Sequence, residues 1–361
     1  MAFTAMELCA GGGGQALGLE LAGFEHAAVV EYESAFCETL RCNRPHWKVI
    51  CQDIREFDGK PYQGVDLLAA GVPCPPFSIA GKQLGNDDER DMFPAALRIV
   101  QEVQPRAVLI ENVPGLGAAK FAAYRLGLFR QLEALGYVPA AKILQASDFG
   151  VPQLRPRFLI VALRPEDAIH FVWPESPAVA PTVGAALKDL MGANGWKGAD
   201  AWALRAGKIA PTLVGGSKKH GGPDLGPTRA KAQWRQLGVD GMGLGNEAPS
   251  PSFPEEGNPR ITVRMAARIQ SFPDTWIFPG KKTVSYRQIG NAFPPLVAKA
   301  VGQAIIRAFQ RQACELIAGS RESQQLRLLE SAKPKAPPNA SKNIDKKSAA
   351  RLPAVKRGPS H

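Results

Sequence analysis

Residues Met6 to Ala22 read MELCAGGGGQALGLELA, and this stretch limits the possible folds more than any other. A short apolar strand runs into four consecutive glycines, Gly11 to Gly14, and then into a helical pattern with leucines at 17, 19 and 21. Strand, glycine turn and helix open an α/β unit, because glycine lets the backbone turn tightly and approach a ligand closely. Gly11 to Ala16 also satisfy G-x-G-x-x-A, and Glu31 ends the next expected strand, Ala27 to Val30, where an acid can take ribose hydroxyls. WKVICQDI at 47–54 suggests a third strand ending at Asp53. A plain tight turn and two helix-capping acids would account for the same residues one at a time. Together the three strand ends look like the adenosine half of a cofactor pocket, and at this point a nicotinamide or flavin enzyme fits as well as any other.

A fourth strand end carries a different chemistry. VDLLAA at 65–70 has the length and aliphatic content of a buried parallel strand, and Gly71 and Pro73 end it just before Cys74. A thiol on a loop at the carboxyl edge of an α/β sheet sits where ligands bind, although most cysteines are inert core residues. A helix is expected over Phe93 to Val103, then a strand over Ala107 to Ile110 that ends in Glu111-Asn112-Val113. Helix Phe129 to Leu135 and strand Ala140 to Leu144 follow. QLRPR at 153–157 precedes the strand Phe158 to Leu163, and arginines at i and i+2 of an extended segment share a face, so Arg155 and Arg157 are expected to point together. A solvated basic edge is the plainer fate of such a pair.

Beyond Arg164 the texture changes. A helix is expected over Thr182 to Leu190, but from Met191 to Pro259 glycine, proline and polar residues dominate with little periodicity, which suggests a loop-built module. Within it, APTLVGGSKKHGGPDLGPTR at 210–229 sets Lys218, Lys219 and Arg229 among glycines, a texture suited to phosphates and base edges. RMAARIQSF at 264–272 reads as an amphipathic helix, and the segment from Tyr286 to Ala304 as a turn followed by a last helix.

Composition narrows the function. The net charge of +11 is uneven: from Ser331 onward eight basic residues face the single acid Asp345, so the tail holds +7 and the body only +4. A tail rich in Pro, Ala and Lys buries too little to order itself. No eighteen-residue apolar run occurs, and the first twenty residues lack the basic start of a signal peptide, so a cytoplasmic protein without a membrane partner is expected. The six cysteines form no C-x-x-C pair and the five histidines are scattered, which argues against a metal site.

Taken in order, CAGGGG at 9–14, GVPCPPFS at 71–78, ENV at 111–113, QLRPR at 153–157 and GNAFPP at 290–295 resemble the DNA cytosine-5 methyltransferases of bacterial restriction–modification systems over roughly residues 6–308. The resemblance implies a Rossmann-like α/β methyltransferase domain built from residues 1–190 and 260–318, a smaller loop-rich target-recognition domain at 191–259, and a basic, disordered tail at 319–361. It implies S-adenosylmethionine as methyl donor, held by Cys9, Ala10, Gly11, Gly13, Glu31, Tyr32, Asp53, Ile54, Pro73 and Asn291. Cys74 is the implied nucleophile toward C6 of a flipped cytosine, Glu111 the carboxyl at N3, Arg157 the contact to O2 and Arg155 its support. A raised pKa is expected of Glu111. Arg90, Thr212, Lys218, Lys219 and Arg229 are the implied DNA contacts, with Thr212 orienting its loop. Double-stranded DNA is the expected partner of a monomer near the nucleoid, with a cognate endonuclease sharing the site. A tRNA methyltransferase on the same fold, a catalytically dead DNA-binding relative and, more distantly, a nicotinamide oxidoreductase are the alternatives. Two positions depart from the family pattern: Pro75 replaces the usual Gln after the cysteine, and Cys9 replaces the Phe that packs on adenine.

Overall fold

The computed structural model describes residues 2–73, 91–175, 178–216, 222 and 224–331, with side chains as far as Glu315. Cys74, Arg90, Lys218 and Lys219 lie outside the described residues. The chain divides into two compact units, Met1–Cys314 and Glu315–His361.

Strand β1 (Phe3–Leu8) leads through the glycine turn into helix α1 (Gly14–Ala22), and β2 (Phe24–Glu31), α2 (Ser34–Asn43), β3 (Val49–Cys51) and β4 (Leu67–Ala70) follow. Helix α3 (Phe93–Val103) returns the chain to β5 (Ala107–Asn112), and α4 (Ala122–Ala134) to β6 (Val138–Gln145). Seven strands align as β3-β2-β1-β4-β5-β8-β6, where β8 is Pro156–Leu163. The first five are parallel, and β8 runs antiparallel to both β5 and β6. Every residue of β4 (LLAA) and β5 (AVLIEN) is buried, as expected for parallel strands covered on both faces. Met6, Leu8, Leu68, Val108 and Ile110 face one layer with Ile99 and Leu128 of α3 and α4. Ala5, Leu67, Ala69, Leu109 and Leu159 face the opposite layer with Leu19 of α1. Alternation then puts Glu7, Glu111 and Arg157 on this second face, where the parallel strands end.

The remaining elements are the two-residue β7 (Gln153–Leu154), α5 (Pro165–Ala168), α6 (Val183–Met191), α7 (Ala199–Arg205), β9 (Ala210–Pro211), α8 (Thr228–Gln236), α9 (Val263–Ile269), α10 (Lys282–Asn291) and α11 (Pro295–Ser331). Thr182 caps α6, its hydroxyl accepting from Ala185 N at 3.1 Å. Segment 191–259 is less irregular than expected, since it holds α7, β9 and α8. Helix α8, TRAKAQWRQ, buries only Ala230 and Trp234, so no apolar period marks it. Trp196, Trp202 and Trp234 supply the segment's core, packed with Leu225, Leu237 and Val239. Tyr286 lies inside α10 rather than in a turn. The last helix continues to Ser331, past the expected close at 318, because SRESQQLRLLE is rich in good helix formers. Among the described residues no helix is long and apolar enough to cross a membrane, and no group of three or more His, Cys, Asp or Glu is placed to hold a metal ion.

Candidate active site

The turn after β1 is left-handed at Cys9 (φ 54°), Gly11 (φ 57°) and Gly13 (φ 85°). Cys9 is the unusual member, because a side chain disfavours that conformation. Gly13 and Gly14 are required by packing as well. A β-carbon on Gly13 would lie 2.7 Å from Leu40 Cδ2, and one on Gly14 would lie 2.3 Å from the Phe293 carbonyl oxygen. The Glu31 carboxylate ties this turn to the end of β2. Its Oε2 accepts from Gly11 N at 2.7 Å, and its Oε1 accepts from Tyr32 N at 2.9 Å and Glu33 N at 2.8 Å. Burial pushes the Glu31 carboxyl up against the opposing pull of these amides. Burial, with Glu31, Glu7 and Asp53 adding to it, also keeps the Cys9 thiol protonated.

These residues fit an adenosyl cofactor. Nothing lies within 4 Å of where a β-carbon on Gly11 would sit, and a carboxylate with about four acceptor sites has one to spare beyond its three amides. Ala10, within this turn, and Ile54 are buried, whereas Tyr32 is 57% exposed and Pro73 is exposed. Two expected contacts are otherwise engaged. The Asp53 carboxylate takes Arg55 Nε at 3.0 Å and its main-chain N at 2.9 Å, and the Arg55 side chain holds it below its ordinary value. Asn291 donates to the Gly216 carbonyl at 3.2 Å, toward segment 191–259.

The second half of the site lies across β5 and β8. Glu111 Oε1 meets Arg157 Nε at 2.7 Å, and both residues are 9% exposed. Burial dominates both groups, pushing the Glu111 carboxyl up and the Arg157 guanidinium down, and their attraction offsets part of this. The raised Glu111 agrees with the direction expected. Such a carboxyl retains or shares a proton more readily than an exposed one.

Arg155 corrects the expectation that both guanidiniums serve one pocket. It falls between β7 and β8, is 1% exposed, and donates to the carbonyl oxygens of Leu213 at 2.8 Å, Gly290 at 2.7 Å and Ala292 at 3.0 Å. Three carbonyls from two distant segments capture it, so alternation along a continuous strand does not govern its direction. Gln153 joins the same network, its carboxamide accepting from Leu213 N at 2.8 Å.

Asn112 is a residue that sequence reasoning passed over within ENV. Its Nδ2 donates to the Val72 carbonyl at 3.3 Å and its Oδ1 accepts from Val113 N at 2.8 Å, so it pins the chain two residues before Cys74 to the end of β5. Glu7 was likewise unforeseen as a site residue. It is fully buried with neither carboxyl oxygen partnered among the described residues, and burial, helped by Glu111, raises it well above its ordinary value. Its position one residue before the end of β1 is the only signal the sequence offers. Of the expected DNA contacts, Thr212 donates its hydroxyl to the Leu154 carbonyl at 2.6 Å, beside the parallel pairing of β7 with β9, and Arg229 is exposed in the first turn of α8.

The profile of the C-5 cytosine-specific DNA methylases matches residues 3–307. The Type II methyltransferase M.NaeI of Lentzea aerocolonigenes is 54% identical over 311 residues, covering 85% of this chain and 75% of the relative. The Type II methyltransferase M.NgoMIV of Neisseria gonorrhoeae is 53% identical over 315 residues, covering 86% of this chain and all of the relative (100%). Among solved structures, the Entamoeba histolytica methyltransferase EhMeth has the same fold, with a TM-score of 0.60 at 14% identity over 86% of this chain and 99% of that one. A glycine turn tied to an acid, a buried Glu–Arg pair at the next strand ends and a profile match from the first strand into the last helix agree with one another, and the chain belongs to the C-5 cytosine-specific DNA methylase family.

Proposed function

We propose that Cys74, Glu111 and Arg157 carry out the chemistry of this family's reaction in the present chain, and that Arg155 acts as a positioning residue. The enzyme transfers a methyl group to C5 of cytosine in double-stranded DNA, with the target base flipped out of the helix. C5 is a weak nucleophile until a thiolate adds to C6. In the proposed sequence the Cys74 thiolate adds to C6 while N3 takes a proton shared with Glu111, leaving an enamine whose C5 would take the methyl group, with the donor's methyl–sulfur bond breaking and a neutral thioether departing. Loss of the C5 proton to a base, expulsion of the thiolate and return of the N3 proton to Glu111 restore the ring. Arg157, held by Glu111, is a preorganised positive charge for O2 as negative charge enters the base.

S-adenosylmethionine, the donor used by this family, supplies an electrophilic methyl group when bound. Ala10, Gly11 and Gly13 would hold its nucleoside through the backbone, Glu31 would take the ribose hydroxyls, and Cys9, Tyr32, Ile54 and Pro73 would line the pocket. Asp53 and Asn291 join this set only if they exchange the partners described above. Segment 191–259 is proposed as the target-recognition module, with Lys218, Lys219 and Arg229 reaching DNA and Arg90 touching phosphate. Both curated relatives reported above are type II methyltransferases, which supports a protective role beside an endonuclease sharing the site.

The observation that carries this reading is the buried Glu111–Arg157 pair next to Asn112, which fixes the chain entering Cys74. DNA containing 5-fluorocytosine blocks loss of the C5 substituent, so the wild type should form an adduct that survives denaturation and Cys74→Ser should not. An adduct of equal yield with Cys74→Ser would remove this cysteine from the mechanism. Exchange of residues 191–259 with those of a relative should transfer the relative's site preference, and an active chimera keeping its original site would refute the recognition assignment.

A further inference from the structure

Two thiols meet at the end of β2, and the chemistry above uses neither. Cys37, in the first turn of α2, is fully buried, and its Sγ donates to the Glu31 carbonyl oxygen at 3.2 Å. Cys51 ends β3 and is exposed, and its Sγ donates to the next carbonyl oxygen, that of Tyr32, at 3.8 Å. The parallel pairing of β2 with β3 sets Cys51 directly beside Glu31, and α2 packs against β3. Both sulfurs therefore rest on two successive peptide groups. Each thiol also acts on the other: burial first, and then the neighbouring Cys51, pushes the Cys37 thiol up to about 12.

The thiolate is the form that reacts, so burial leaves Cys37 inert by itself while Cys51 is open to an oxidant from solvent. A sulfenic acid formed on Cys51 has a second thiol beside it with which to condense. A bond with one exposed sulfur is of the reversible kind, unlike the structural disulfides of secreted proteins. Its formation consumes both S–H groups, and with them the donors to the Glu31 and Tyr32 carbonyls. The Glu31 carboxylate, which accepts from Gly11 N and is assigned above to the ribose, belongs to that same turn.

We propose that a hydroperoxide converts Cys37 and Cys51 to a reversible disulfide, and that this bond weakens cofactor binding by shifting the turn that carries Glu31. The Cys51 thiolate attacks one peroxide oxygen and the O–O bond breaks, giving a sulfenic acid and a hydroxide that takes up the thiol's proton as water. The Cys37 sulfur then attacks the Cys51 sulfur, the S–O bond breaks, and hydroxide leaves with the Cys37 proton as a second water. Two thiols lose two electrons, and the peroxide gains them. The effect on affinity rests on the cofactor reading above, whereas the bond itself does not.

Full-length protein treated with hydrogen peroxide, alkylated with N-ethylmaleimide under denaturing conditions and digested should yield a linked Cys37–Cys51 peptide pair that dithiothreitol separates. Calorimetric titration should show S-adenosylhomocysteine binding the oxidised wild type about tenfold or more weaker than the reduced, with the affinity restored by dithiothreitol. Cys51→Ser, at an exposed position, should bind like the reduced wild type and stay within about twofold of it after peroxide, which separates this pair from oxidation at Cys9 or Cys74. Absence of the linked pair, with Cys37 alkylated after unfolding, would overturn the bond. A linked pair with unchanged affinity, or an equal loss in Cys51→Ser, would overturn the effect on the cofactor. A reduced wild type that binds no S-adenosylhomocysteine would overturn the cofactor reading and the affinity effect with it, and the linked pair would still decide the bond.

Discussion

The strand-end face of the sheet and segment 191–259 are built on opposite plans. The face buries charge: Glu7, Glu31, Glu111, Arg155 and Arg157 are all at most 9% exposed, held on or beside regular strands. The segment buries tryptophans, with Trp196, Trp202 and Trp234 at 3% exposure or less, and leaves Arg229 at its surface. The catalytic roles proposed above need side chains placed to a fraction of an ångström, which fits their seat on rigid elements in spite of the cost of desolvation. In the recognition role proposed above, the segment needs a stable platform whose surface can vary, and a few large apolar side chains supply one. Arg155 joins the two plans, linking Leu213 of the segment to Gly290 and Ala292 before the last helix.

Breaking that link should have the largest effect on stability. Arg155→Met strands three buried carbonyl oxygens and should cost about 3–5 kcal/mol, the range for removing one partner from a buried charged network. Denaturant unfolding would measure it, and a loss below about 1 kcal/mol would show that the two regions do not depend on Arg155. Glu111→Gln tests the face alone. It keeps the shape but loses the acid, and kcat should fall on the order of 10²-fold with little change in KM for DNA. An equal rise in KM would instead make Glu111 a binding residue.

Glu7 sharpens the contrast through pH. A carboxyl raised on folding contributes stability that is fully present below its ordinary 4.5 and is lost as pH rises through the folded value. Glu7→Gln removes this loss, so its Tm should exceed that of the wild type at about pH 8, and the gap should narrow as pH falls toward 4.5. A gap independent of pH would mean that Glu7 is not the titrating group. The smallest effect belongs to the seam between the regions. Thr212→Val removes the hydroxyl that donates to Leu154 and should cost about 1 kcal/mol, with the methylated sequence unchanged. A change in sequence choice would make Thr212 a reader of DNA rather than a brace for the β7–β9 pairing.

Much of the strand-end face was legible because parallel strands and glycine turns obey short-range rules. The four glycines, the acid ending β2, the apolar run before Cys74 and the carboxylate in ENV each announce themselves within a few residues, and helix Phe93–Val103 was placed to the residue by its apolar spacing. Segment 191–259 was less legible, since tryptophans at irregular intervals form a core only when residues far apart in the chain meet, and α8 carries too few apolar residues to show a period.

The sequence by itself determined the α/β class, the order of the motifs and the residue types at the strand ends, because strand alternation, glycine's conformational freedom and apolar runs are local properties of the chain. Only the tertiary structure decided which charges meet. Arg155 and Arg157 are two residues apart, yet one is bound by the carbonyls of Leu213, Gly290 and Ala292 and the other pairs with Glu111, because those partners come from segments that the chain brings together only on folding. Asp53 was captured by its neighbour Arg55, Asn112 reached back to Val72, and the buried Gln15 and Gln288 found no hydrogen-bond partner among the described residues. A buried polar group takes whichever partner folding brings within about 3 Å, and spacing along the chain does not encode that distance.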